Sequence, residues 1–434
     1  MKDNQDTMNT TEQTISTAEK STSLLDEDWA VVLLGFIIII LFLVGVNIPA
    51  PAYKWSNTGD LTETVFALEN ILRIIYQFLL VFVFSVLALW ITNKPLKSAV
   101  KVFPILYVIS VTALLLEGNA AIRSLNLEAV IFSLSIGLLI GNLFRLPTWF
   151  RSVLNAEMFV KIGLVLLGTR IIFSDILEAG SLGLIQALVV VFTVWYFAFW
   201  ICKRLRLDED LRMMISSAVS ICGVSAAIAT AGAIKGDPKK LSYVISLVLV
   251  TAIPMMIALP YIANYLGLSQ EVTGAWIGGT IDTTGAVVAA GTLVGDAAVK
   301  ISTIVKFSQN VLLGLAAFAI SIYWTYTQKA PEGMENSKPS LRLLWDRFPK
   351  FVLGFVAASL LFSFVLSPGV VEATQGGLKS VQTLWFVLAF TSIGLETRFS
   401  DLFNADNKRP LYAFLIAQTF NILITLVIAS LLFG

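Results

Sequence analysis

Residues 220–229 read SICGVSAAIA. They sit inside an apolar stretch from Met213 to Ile234, long enough to cross a bilayer, which takes about 20 residues. Yet its middle holds Ser220, Cys222, Gly223 and Ser225, with Val224 the one branched apolar residue among them and Ala226 following. In hydrocarbon the backbone must satisfy its own hydrogen bonds unless it lines a protein-buried or wet cavity. Small and hydroxylic residues therefore suit a place where a helix breaks and backbone approaches something closely. At such a break, free N–H groups and the positive helix end make an anion pocket.

A second stretch has the same character. Residues 276–291 read WIGGTIDTTGAVVAAG, with Thr280, Thr283, Thr284 and Gly285 around Asp282. Asp282 is the one charge in the run from Val272 to Gly295. An ionisable group at the bilayer centre costs about 2.5–3.5 kcal/mol on insertion scales, so a cation, a proton or a basic partner must offset it. The nearest candidate is Lys306, inside the long apolar span 297–325, and Gln309 lies one turn on along the same helix face. The blander readings are close packing of helices by small residues and a structural Asp282–Lys306 ion pair without a transport role. Two such stretches in one chain favour a site.

The bulk numbers place the chain in a membrane. It has 434 residues, 57% hydrophobic and 14% charged, with a mean hydropathy of +0.82; soluble chains run about 45–50% apolar and 25% charged. A net charge of +1 gives no basic excess for nucleic acid. There is no histidine, which removes Ser-His and Cys-His nucleophile pairs and histidine metal sites. Cys202 and Cys222 suggest neither a disulfide framework nor zinc. No metal, cofactor or enzymatic activity is expected.

Apolar runs near 30–48, 72–92, 102–116, 127–144, 158–173, 182–202, 213–234, 242–265, 273–293, 297–325, 349–366, 381–397 and 411–433 predict an all-α, polytopic transmembrane helical bundle. Residues 1–28, with seven acids and two lysines, read as a disordered cytoplasmic tail; 29–325 as a transmembrane region holding both small-residue stretches; 326–348 as a cytoplasmic loop; 349–434 as C-terminal transmembrane helices. Basic loops mark the cytoplasm. Lys94, Lys97 and Lys101, then Arg145 and Arg151, then Lys203, Arg204, Arg206 and Arg212 follow even spans, whereas Asp60, Glu63, Asp175 and Glu178 follow odd ones. The N-terminus is thus expected inside and the C-terminus outside. KGDPKK at 235–240 then breaks the alternation. Two readings stay open: 213–234 and 273–293 dip in and return, giving 11 full spans and two re-entrant hairpins, or they cross as broken helices, giving 13.

GTRIIFSDIL at 168–177 echoes GLETRFSDLF at 394–403. The first copy is expected to end outside and the second inside, as inverted repeats predict. Arg170 and Asp175 in the first copy are secondary site candidates. Lys161 reads as a snorkelling side chain, and Glu396 and Arg398 as interfacial.

At ICGVSAAIA (221–229), LLGTRIIFSDILEAG (166–180), IDTTGAVVAAG through IVKFSQN (281–310) and SIGLETRFSDL (392–402) the sequence resembles the YeiH family of sulfate exporters, from about residue 125 onward. That resemblance implies a bacterial inner-membrane secondary carrier for sulfate or related sulfur oxyanions. Cys222, Gly223, Ser225 and Ala226 match its core motif, and Lys306 matches a lysine in its late span. It also implies a basic residue three positions after that lysine, where Gln309 stands here, and a different polar residue beside Asp282 from Thr280-Ile281. The leading expectation is a secondary active transporter of a small inorganic or sulfur-containing anion, working by alternating access around the two breaks, with Asp282 balancing Lys306 or carrying a coupling proton or sodium. A cation/proton exchanger at Asp282 and an anion channel are the alternatives. Expected partners are the anion, the lipid bilayer and, as one option, a second copy in a homodimer.

Overall fold

The computed structural model describes residues 25–46, 48–94, 96–123, 129–151, 153–234, 236–327, 345, 348–397 and 408–434. Fifteen helices of eight or more residues follow one another: α1 Glu27–Leu43, α2 Leu68–Ile91, α3 Leu96–Gly118, α4 Ala129–Leu143, α5 Ala156–Gly168, α6 Phe173–Arg204, α7 Glu209–Ser220, α8 Val224–Ile234, α9 Pro238–Tyr265, α10 Gln270–Thr280, α11 Thr284–Val294, α12 Asp296–Thr327, α13 Lys350–Leu360, α14 Pro368–Glu396 and α15 Arg409–Phe433. Among the described residues the one β contact is a bridge between Trp55 and Asn119. Among the described residues, seven helices (α2, α3, α6, α9, α12, α14 and α15) are long and apolar enough to span a membrane. The chain is a polytopic helical bundle with interruptions at 221–223 and 281–283.

Capping residues fix the helix starts. Asp208 accepts from Leu211 N–H at the head of α7, Ser269 from Val272 N–H at α10, and Thr283 from Ala286 N–H at α11. Asp237 caps α9, whose first residue is Pro238. The expected tail 1–28 lies mostly outside the described residues, but its last two residues already belong to α1. The loop 326–348 lies largely outside them as well.

Packing sorts the helices into two bundles. α1–α5, α13 and α14 form a scaffold, with α14 lying along α4 and α5. α6–α12 and α15 form a core bundle, with α6 and α10 both packed on α12 and α15. The α14–α4 seam is tight because it is built on glycine. A Cβ on Gly394 would sit 2.5 Å from the Leu134 carbonyl oxygen, and one on Gly137 2.6 Å from that of Thr391.

Ion pairs locate the two faces. Glu27 at the head of α1 meets Lys94 after α2 (2.9 Å) and Lys161 in α5 (3.4 Å), and the Lys350 N–H at the head of α13 donates to Asp28 (2.9 Å). This is the basic face. On the opposite face Arg170, between α5 and α6, pairs with Asp296 at the head of α12 (3.4 Å), and Lys300 pairs with Asp175.

The same contacts decide between crossing and returning. Lys240, in the first turn of α9, pairs with Asp208 before α7 at 2.8 Å and with Asp210 at 3.5 Å. The chain thus re-emerges beside its point of entry, and α7–α8 is a re-entrant hairpin from the basic face. Burial alone would raise the Asp208 carboxyl, but the Lys240 and Leu211 hydrogen bonds outweigh it and hold it below the usual carboxylate range. In the second case a Cβ on Gly295, just after α11, would lie 2.6 Å from Gln270 Oε1 at the head of α10. α10–α11 is therefore a hairpin from the opposite face. Both stretches therefore return rather than cross, as the hairpin reading expects. The 168–177 and 394–403 copies sit at the α5–α6 and α14–α15 junctions, α5 packs on α14, and α6 packs on α15. Residues 398–407, Arg398 among them, lie outside the described residues.

Single cysteines at Asp208 and Lys240, in a background without Cys202 and Cys222, are expected to react with a membrane-impermeant maleimide from the same side. Cysteines at Ser269 and Asp296 should both react from the other side. Labelling of either pair from opposite sides would exclude a hairpin.

Candidate functional site

The tips of the two hairpins touch. Gly223 has φ +60°, and a Cβ there would sit 3.0 Å from the Asp282 Cβ and 2.6 Å from Val248 Cγ1. That left-handed turn, which glycine adopts freely, lets α7 end and α8 restart within three residues while 281–283 presses against it.

Each tip leaves C-terminal carbonyls that the helices cannot satisfy. Side chains from α12 and α15 meet them. Lys306 Nζ donates to Ile221 O (2.8 Å) and to Gln309 Oε1 (3.0 Å), and Gln309 Nε2 donates to Gly279 O (2.9 Å). Asn421 Nδ2 donates to Val219 O (3.1 Å) and Thr280 O (3.2 Å), and Gln418 Nε2 also donates to Thr280 O (3.0 Å). Thr425 steadies Asn421 by donating to its Oδ1 (2.8 Å). The Lys306 ammonium thus stands at the negative end of α7, where a cation is favoured.

The N-terminal ends look the other way. A cavity of about 530 Å³ lies between the bundles and runs from the basic face to the breaks. Its deep end is lined by Cys222, Val224 and Ser225 at the start of α8, by Thr283, Thr284 and Gly285 at the start of α11, and by Asn310 of α12. Here the core touches the scaffold, since a Cβ on Gly285 would lie 3.2 Å from both Ile393 Cδ1 and Val160 Cγ2. Asn310 is 6% exposed; its Nδ2 reaches Thr284 Oγ1 at 3.4 Å, and its Oδ1 has no partner.

The mouth is charged. Lys161 Nζ gathers Asp28 (2.8 Å), Glu157 (2.9 Å) and Glu27 (3.4 Å) and lies 5.7 Å from the Phe351 ring centre. Asp26, Lys350 and Glu396 also line this end. Lys161 is therefore the hub of a carboxylate cluster at the entrance rather than a snorkelling side chain.

The sequence-predicted residues divide into three groups. Cys222, Val224, Ser225, Thr283, Thr284 and Gly285 line the cavity. Ser220, Gly223, Ala226, Thr280, Lys306 and Gln309 lie behind that wall, in the layer that seals the carbonyl ends. Arg170 and Asp175 belong to ion pairs on the opposite face. The expected Asp282–Lys306 ion pair is not formed at 4.0 Å or less. Asp282 is 1% exposed with its Oδ2 unpartnered, while Lys306 is held by the Ile221 carbonyl and Gln309. Sequence reasoning missed Gln418, Asn421 and Thr425, whose i, i+3, i+7 spacing inside an apolar helix was the available signal. It also missed Asn310, one residue past Gln309. Among the described residues no cluster of acids and cysteines is arranged to hold a metal.

The family model described as "Conserved hypothetical protein 698" matches residues 78–413, which include both hairpins. A UPF0324 membrane protein of Rhodopirellula baltica is 37% identical over 351 residues, covering 79% of this chain and 64% of the relative. One of Nitratidesulfovibrio vulgaris is 37% identical over 339 residues, covering 75% of this chain and 58% of the relative. The chain thus spans less than two thirds of the length of these two relatives. A third, of Nitrosomonas europaea, is 27% identical over 456 residues, covering 89% of this chain and 91% of its own. No solved structure matches.

Replacing Asn421 by leucine strips Val219 O of its donor and leaves Thr280 O with Gln418 alone. Losing a partner for a buried group costs about 1–3 kcal/mol. A clear fall in melting temperature in detergent is expected, with no comparable change for Thr419→Val on the exposed side of the same helix.

Proposed function

This chain belongs to the UPF0324 family of membrane proteins, the group also called YeiH, and from that premise we propose that it is a secondary active transporter of a small, sulfate-like anion. One observation carries this reading: the N-termini of two half-helices, one from each hairpin, open on the same cavity. Their first-turn N–H groups and positive ends favour negative charge, and the hydroxyls of Ser225, Thr283 and Thr284 add adaptable donors. No carboxylate lines the deep end, because Asp282 stands behind it. Access is one-sided: each charged residue on the cavity wall belongs to the basic face. By the positive-inside rule that face is cytoplasmic, which puts the N-terminus inside and the C-terminus outside a bacterial inner membrane. Rocking of the core bundle against the scaffold would then present the same helix ends to the other side.

Asp282 supplies the coupling. A buried carboxylate is costly, and Asp282 has one oxygen without a hydrogen-bond partner, so a proton or sodium ion there changes the balance at the hairpin tips next to Gly223. The second reading, a cation/proton exchanger, draws on the mouth, where Asp26, Glu27, Asp28, Glu157 and Glu396 face Lys161 and Lys350. A channel is disfavoured by the blind inner end.

Cys222 lines the cavity, whereas Cys202 is 0% exposed within the core bundle. N-ethylmaleimide is expected to modify Cys222 and spare Cys202, and sulfate to slow that reaction severalfold. Proteoliposomes should show saturable sulfate counterflow. Absent protection and counterflow, with sodium- or proton-driven dye responses in anion-free buffer, would replace the carrier reading by the exchanger.

A further inference from the structure

We infer that the anion this cavity takes is amphipathic: a singly charged organic sulfonate or carboxylate whose head sits at the helix ends and whose hydrocarbon lies along α9. This rests on the anion-carrier reading above and narrows it to a substrate class.

The cavity is polar at its inner end and apolar along its flank. Leu249, Ile253 and Met256 of α9 fall at i, i+4 and i+7 and form one stripe on its wall. Ile228, one turn into α8, faces the same space. Ile228 is 43% exposed and Leu249 37%, while Ile253 and Met256 are buried, so at the first two the wall carries apolar surface that no described residue covers. Across the gap stand Val160 and Ile393 of the scaffold. A tetrahedral inorganic oxyanion has hydration to replace on every side, and this wall offers nothing for it. An alkyl chain gains from the same wall by leaving water. The volume, about 530 Å³, lies in the range of small-molecule pockets, about 300–1,000 Å³, and exceeds the needs of a lone oxyanion.

The head site has a receiver besides the helix ends. Asn310 is nine-tenths buried, lines the cavity beside Thr284, and has one end of its amide unpartnered and the other loosely engaged at 3.4 Å. A flip of the amide presents its NH₂ to the ligand. The mouth sets the charge. Five carboxylates against two lysines repel a dianion twice as strongly as a monoanion, which disfavours sulfate relative to a sulfonate.

The test uses the full-length protein in detergent and the rate of Cys222 alkylation by N-ethylmaleimide. Protectants are sulfate, methanesulfonate, butanesulfonate and hexanesulfonate, with hexylammonium and hexanol as chain-length controls. Protection should tighten with each methylene by up to about fourfold, the factor expected for burying one CH₂. Sulfate should protect more weakly than butanesulfonate, and hexylammonium and hexanol should protect little. Ile253→Asn should flatten the chain-length dependence. If that variant does not fold, the wild-type series decides alone. Equal protection by sulfate and hexanesulfonate would leave the anion carrier standing and overturn the amphipathic ligand. Equal protection by hexanol would mean that the wall binds hydrocarbon without an anion, and would overturn it as well. Protection by none of the anions would overturn both.

Discussion

A backbone carbonyl inside a bilayer must find a donor within the protein, and the core bundle is organised around that requirement. Two half-helices, α7 and α10, enter from opposite faces and stop at the middle, each leaving carbonyls pointing inward. Lys306, Gln309, Gln418 and Asn421 meet those of Val219, Ile221, Gly279 and Thr280. All four side chains come from two helices, α12 and α15, that cross the membrane whole. Those helices flank α10, and Gln309, Gln418 and Asn421 each donate to one of its last two carbonyls.

Sealing the carbonyl ends has a directional consequence. The negative poles of α7 and α10 are covered by amides and by an ammonium, so they contribute little field to the cavity. The positive poles of α8 and α11 are not covered in that way; their first turns form its inner wall. On the anion-carrier proposal, selectivity for charge sign follows from which half of each hairpin faces the cavity, without any basic side chain at its deep end. This also accounts for Gln309 at a position where the family resemblance implies a basic residue. Its carbonyl oxygen receives Lys306, and its amide supports Gly279, a two-way role that a cation could not fill.

The interruptions were legible in the sequence because they change composition: glycine, serine and threonine replace branched residues at 222–225 and 283–285. Whether each stretch crosses or returns was not legible. Hydropathy is the same either way, and the cue from KGDPKK is a loop charge that either topology accommodates. The meeting of Asp208 with Lys240, 32 residues apart, decides it for the first stretch, and the approach of Gly295 to Gln270 for the second. Lys306 was singled out correctly as a buried charge, and Asp282 does interact with it electrostatically. The direct contacts of its ammonium are instead the Ile221 carbonyl, 85 residues away, and Gln309. Lys161 was read as snorkelling because its three carboxylate partners include two from α1, which no helical spacing reveals. Arg170 and Asp175 stood out as charges beside an apolar span, and they are structural ties between helix ends.

On the same proposal, the charge distribution also bears on how the bundles would move. On the basic face the pairs Lys161–Asp28, Lys161–Glu157 and Lys94–Glu27 lie within the scaffold, and Lys240–Asp208 lies within the core. On the opposite face Arg170–Asp296 joins the link between α5 and α6 to the first turn of the core helix α12. Asp296 is 80% exposed there, and an exposed pair of this kind is worth at most about 1 kcal/mol. Closure on that face therefore cannot rest on the ion pair. The other ties there include apolar contact and a hydrogen bond from the Phe173 N–H at the head of α6 to Ser363 Oγ (3.0 Å). The costly polar network at the hairpin tips lies wholly inside the core, so it travels intact. A rigid core carrying its own helix ends past a rigid scaffold is the motion this division of forces permits, and the tightly built glycine seam between α4 and α14 keeps the scaffold from yielding instead.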